Sequence, residues 1–134
     1  MSFIQRLKDC NTHKELNFFK FFINNYHVGF IKKKNLNIIN KFPDIFLIEK
    51  NKILLKKKIN NFKKRTYAIN RVFNFLVKEK IISSKHREYF PVFKSFKLKP
   101  LLKVQRLIGP FFGFQFFGVH LNGFLKKKDK YFMW

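Results

Sequence analysis

The chain is predicted to adopt an α+β fold, with small antiparallel hairpins packed against helices, on three features of its sequence. Two aromatic-rich runs flank an Asn-Asn pair near the start. One long stretch in the middle repeats its apolar residues with helical period. The last third holds short apolar runs broken by Gly, Pro and Lys-rich links.

Each element can be justified in order. Ser2 suits a helix N-cap, and Phe3, Ile4 and Leu7 share one helical face, so a short helix opens the chain and ends near Cys10-Asn11. Phe18–Ile23 and Tyr26–Ile31 then read as a hairpin across Asn24-Asn25, because Asn tolerates the left-handed backbone of a tight turn. Leu36, Ile38 and Ile39 predict a short helix, stopped by Phe42-Pro43-Asp44. A second hairpin, Ile45–Ile48 with Ile53–Lys57, turns at Lys50-Asn51-Lys52.

The strongest helix runs from about Phe62 to Lys80, where Ile69, Val72, Phe73 and Leu76 fall on one face. Tyr89–Lys94 predicts a strand whose Pro91 confines it to an edge. A helical turn is expected over Leu101–Ile108, ending at Gly109-Pro110. Phe114–Leu125 and Tyr131–Trp134 are expected to be two further strands, joined by the Lys-rich link between them. The apolar run at 131–134 is either a short terminal strand that pairs with Phe114–Leu125 and ends there or a sign of truncation inside a longer protein, and we expect the latter.

Composition narrows the function classes. A chain of 134 residues that is 46% hydrophobic has the apolar area for a packed core, which argues against disorder. No apolar run reaches the roughly 18 residues of a membrane span. The N-terminus lacks the apolar stretch of a secretory signal, and the single Cys10 fits a reducing compartment, so a cytoplasmic location is expected. The net charge of +23 suggests a polyanion partner. Against that, Lys outnumbers Arg 25 to 5, and Phe, Ile and Asn are abundant, the pattern that drift toward A+T-rich codons produces. Phosphate and base contacts favour the planar fork of Arg. We therefore attribute most of the charge to composition, with a small basic RNA- or DNA-binding protein as the rival reading.

No complete catalytic constellation is legible. The seven carboxylates, Asp9, Glu15, Asp44, Glu49, Glu79, Glu88 and Asp129, never stand at helical i, i+3 or i+4 spacing, so no helix offers paired metal ligands. His13, His27, His86 and His120 are too dispersed for a metal signature, and no Ser lies in a Gly-x-Ser-x-Gly elbow. Gly109-Pro110-Phe111-Phe112-Gly113 has the glycines of a phosphate loop without its Lys-Ser/Thr, and a turn with no following helix is expected there. The stretch that stands out is Gly118-Val119-His120-Leu121-Asn122-Gly123. Two polar residues two apart on a strand share a face, so His120 and Asn122 either line a pocket or domain junction or occupy a solvent face.

That stretch also carries a resemblance. Phe117–Phe124, preceded by Gln105-Arg106 and Gly109–Gly113, resembles the segment where an N-terminal domain of uncharacterised function enters a Nudix hydrolase domain, in the thiamine-pyrophosphokinase-related Nudix enzymes. The likeness extends to the opening Phe3–Asn11, Val28-Gly29-Phe30, Phe42–Phe46, Arg65-Thr66 and Glu88–Val92. Lys85-His86 stand where the family usually has Trp-Arg, and Gln105 takes a usual Glu position.

The resemblance implies an accessory domain over residues 1–112 and the start of an incomplete Nudix domain, an α/β/α fold, over 113–134. The glutamate helix that binds the catalytic metals would lie beyond this chain. It further implies that this chain alone is inactive and carries no cofactor, with Mg²⁺ needed only by a complete Nudix domain. The implied partners are the missing C-terminal Nudix domain and a diphosphate small molecule resembling thiamine diphosphate. Arg106, His120 and Asn122 become candidate substrate-binding or domain-junction residues.

Overall fold

The structure, a computed structural model, describes residues 2–10, 15–83, 88–95, 98–119 and 121–133. The opening helix α1 spans Phe3–Cys10, and the Ser2 Oγ accepts the Gln5 N–H at 3.2 Å, the N-cap bond its position predicts. Its apolar residues Phe3, Ile4 and Leu7 are nevertheless exposed.

Strands β1 (Phe18–Ile23) and β2 (Tyr26–Lys32) pair antiparallel across Asn24-Asn25, with Asn24 at φ 54°. After α2 (Leu36–Ile39), strands β3 (Phe46–Glu49) and β4 (Lys52–Leu55) form the second hairpin, whose turn is Lys50-Asn51. Both hairpins are where the sequence places them. What the sequence does not reveal is how they join. β1 runs parallel to β4, with Phe21 opposite Ile53, giving one four-stranded sheet in the order β2-β1-β4-β3. Parallel pairing depends on a crossover and leaves no local turn signal.

Helix α3 (Phe62–Lys78) begins at Asn61, whose side-chain oxygen accepts the Lys64 N–H at 2.8 Å. It ends in two reversing hydrogen bonds, Lys80 N–H to Val77 O and Ile81 N–H to Leu76 O, which put Lys80 at φ 55°. That geometry favours glycine, so the lysine is held there against its preference. The α3 stripe of Ile69, Val72, Phe73 and Leu76 shares one core with Phe21, Ile23, Ile31 and Ile53 from one face of the sheet. Phe112 stands at its centre, fully buried, its ring 5.2 Å from Phe21 and 5.9 Å from Phe46. Burial of each such side chain stabilises by about 1.5–3 kcal/mol.

Three expectations require correction. Leu101–Ile108 is not a helical turn: Leu102–Gln105 forms strand β6, antiparallel to β5 (Tyr89–Val92), and only Arg106–Ile108 is helical. Leu102 and Val104 turn inward and Lys103 outward, a period of two that the closely spaced leucines obscure. Gly109-Pro110 does not end a helix but begins one, α4 (Gly109–Phe112). Proline is suited to a first turn because its missing N–H has no partner there. The long strand expected over Phe114–Leu125 is confined to β7 (Phe124–Lys127), which pairs with β8 (Lys130–Met133). Lys128 and Asp129 turn this last hairpin at φ 46° and 57°, the doubly left-handed pattern of tight two-residue loops.

Candidate functional site

The sequence-predicted site residues lie where the chain leaves the core. Arg106 follows β6. Its guanidinium donates to Glu88 at 2.8 Å, its backbone N–H bonds the Glu88 carbonyl at 2.7 Å, and its Cζ lies 5.7 Å from the Phe90 ring centre. Arg106 thus fastens the start of β5 to the end of β6. Both side chains of the ion pair are more than half exposed, so the pair contributes little to stability.

Asn122 is exposed and belongs to no strand, and His120 lies outside the described residues. The shared strand face expected for that pair is therefore absent at Asn122. Among the described residues, no hydrogen bond or ion pair joins Arg106 to Asn122. Between them the chain changes character. Phe114 is buried, Phe116 packs on Phe90 with ring centres 5.0 Å apart, and Phe117 lies 6.3 Å from Phe93. Beyond Phe117 the described residues become exposed: Val119 is 82% and Leu121 93% exposed, and a Cβ on Gly118 would meet nothing within 4 Å.

The glycines of the Gly109–Gly113 motif serve packing. A Cβ on Gly29 would stand 2.3 Å from the Phe112 carbonyl oxygen, and one on Gly113, at φ 60°, 2.4 Å from the Phe30 carbonyl oxygen. Only two glycines let α4 lie this close to β2. The motif is a clamp between backbones.

Sequence reasoning missed Arg65. It is buried, and its guanidinium donates to the carbonyls of Asn60 at 2.9 Å, Ile59 at 3.4 Å and Leu101 at 3.5 Å. The neighbouring Thr66 hydroxyl accepts the Lys103 N–H at 3.1 Å, so both residues tie α3 to the chain around β6. A signal was present: Arg65 stands one turn before Ile69, on the apolar stripe itself. Two buried amide oxygens, Asn70 Oδ1 and Gln105 Oε1, have no hydrogen-bond partner among the described residues.

The donor set of the described residues does not fit a Mg²⁺ site. Among the described residues, no three His, Cys, Asp or Glu side chains converge. Asp44, Glu49, Glu88 and Asp129 are each engaged by a cation, from Arg71, Lys52, Arg106 and Lys126 respectively. The Arg71 guanidinium, hydrogen-bonded at 2.5 Å, holds the Asp44 carboxyl below its ordinary pKa, with Lys58 adding to the effect and partial desolvation opposing it.

Fold and site therefore describe an α+β domain whose distinctive residues hold the chain together and whose acids are spread among lysines and arginines. By sequence, the chain belongs to the family known as the domain of unknown function DUF4743, matched over residues 2–116. It is similar to the N-terminal parts of two Arabidopsis thaliana proteins, Nudix hydrolase 24, chloroplastic, and Nudix hydrolase 20, chloroplastic. Identity is 27% in both cases and covers 98% of this chain. The chain spans only 37% and 38% of those relatives' lengths. Among the described residues, no helix is long and apolar enough to cross a membrane.

Proposed function

We propose that this chain serves as the N-terminal accessory domain of a Nudix-type diphosphate hydrolase, packing against a following Nudix domain and shaping access to its substrate. The observation that carries the reading is the match to the N-terminal parts of two Nudix hydrolases across nearly the whole chain. Residues 1–112 form the accessory domain in this reading, and 113–134 begin the next domain, with Phe114 and Phe116 anchoring the connection. The change from buried Phe114 to exposed Val119 and Leu121 supports a division in this region.

Arg106, His120 and Asn122 are assigned to the junction or to the substrate entrance, Arg106 by its position beside the departing segment. The substrate class is a diphosphate resembling thiamine diphosphate, and Mg²⁺ is needed only by the complete Nudix domain. The lone Cys10 keeps a cytoplasmic location as part of the proposal.

The test uses this chain with Mg²⁺ and oxidised thiamine diphosphate, alone and fused to a complete Nudix domain. The expected result is no turnover above a protein-free control for the chain alone and turnover for the fusion. Turnover by the chain alone would refute its role as a non-catalytic accessory domain.

A further inference from the structure

The outward face of the four-stranded sheet has an unusual composition. In β1, Phe19, Phe21 and Ile23 point into the core, leaving Phe18, Lys20 and Phe22 on the opposite face. The register extends that face across the sheet. Lys20 stands opposite Phe30 of β2 and Lys52 of β4, while Phe22 stands opposite His27 and Leu54. The outward face of a sheet normally alternates toward polar residues. Here it carries a run of rings: Phe18 to Phe30 at 6.3 Å, Phe30 to His27 at 4.5 Å, and His27 to Phe22 at 5.4 Å between centres.

Two hollows lie side by side on this face. The larger, about 410 Å³, is walled by Phe22 with Lys20, Lys50 and Lys52. The smaller, about 230 Å³, is walled by Phe18 and Phe30 with Lys20 and Lys33. Lys20 and Asn51 line both. The acid in the larger hollow, Glu49, is neutralised by Lys52 at 3.0 Å. Ring-plus-lysine therefore occurs twice in succession, joined by a shared lysine.

From this repetition we infer that the outward sheet face binds single-stranded nucleic acid, one base against each ring wall and the phosphates along the lysines. Bases stack on aromatic side chains whatever their sequence, and lysines follow the backbone. A mononucleotide would need one such hollow, and an apolar protein surface would not need lysine in both. The inference stands on the placement of rings and lysines and is independent of the accessory-domain reading. Net charge alone did not support it.

The experiment measures fluorescence anisotropy of a labelled oligouridylate of about ten nucleotides with the full chain, at about 0.1 M salt and in a salt titration. Phe22→Ala should weaken binding about tenfold. Phe22→Leu, which keeps the half-buried contact, should still weaken it several-fold. The double variant Lys50→Ala with Lys52→Ala should weaken binding and flatten its salt dependence. The charge-matched Lys126→Ala with Lys127→Ala, on β7, should change it less than about twofold. Equal losses from the two double variants would overturn the proposal in favour of unlocalised attraction to a polycation. Uridine diphosphate competing as well as the oligomer, mole for mole, would overturn it in favour of a mononucleotide hollow. So would an absence of binding.

Discussion

Phe112 and Phe132 are the same side chain in opposite circumstances. Phe112 is fully buried, with Phe21, Phe46, Phe111 and Phe114 around its ring; Phe132 is 53% exposed on a hairpin whose every residue from Phe124 to Met133 faces solvent. The first region is held by contacts between residues far apart in sequence. The second is held by its own cross-strand pairs and a two-residue turn. A lone two-stranded hairpin is marginal in water. The difference teaches that regular backbone geometry and tertiary stability are separate properties, and that the β7–β8 hairpin has the first without the second.

The largest expected effect breaks the core side of this contrast. Phe112→Ala should destabilise the chain by about 3–5 kcal/mol, whereas Phe132→Ala should change stability by less than about 0.5 kcal/mol. Urea denaturation followed by circular dichroism checks both. Arg65→Met keeps the apolar stem of the side chain but removes its hydrogen bonds to one buried and two part-buried carbonyls, and should cost about 1–3 kcal/mol in the same assay.

A smaller pair sharpens the comparison through backbone strain. Lys80 and Lys128 both hold left-handed backbone. Lys80→Gly should raise stability by about 0.5–1 kcal/mol, because it relieves strain within the cooperative unit. Lys128→Gly should leave the unfolding midpoint unchanged.

The smallest effect is electrostatic. The Asp44 carboxyl is lowered in the fold, so its pairing with Arg71 stabilises above the ordinary carboxylate pKa and is lost as pH falls through the lowered value. Arg71→Ala should therefore reduce stability at neutral pH and make the acid side of the stability profile shallower. Melting temperatures taken across the acid range would show it.

Local features were the legible ones. The Ser2 cap, the Asn24-Asn25 turn and the Ile69–Leu76 stripe each depend on residues within a few positions, and each produced the expected element. The β1–β4 pairing and β6 depend on partners remote in sequence. Leu102–Gln105 is a strand because β5 offers it hydrogen bonds. Gly109–Gly113 misled for a related reason: its glycines answer to Phe30, Phe116 and the β2 backbone. Of the candidate site, Arg106 was legible as a residue but its Glu88 partner was not, and the strand face expected to unite His120 with Asn122 does not extend to Asn122. The aromatic outer face followed from the alternation in β1 only once the neighbouring strands were in register.

Hydrogen exchange of the intact chain, read amide by amide, tests the contrast most directly. The account predicts that the slowest amides lie in β1, β4 and α3 and exchange together through global unfolding, while those of β7 and β8 exchange close to the rate of an unfolded peptide. Protection of Leu125 and Phe132 equal to that of Phe21 and Ile69 would contradict it.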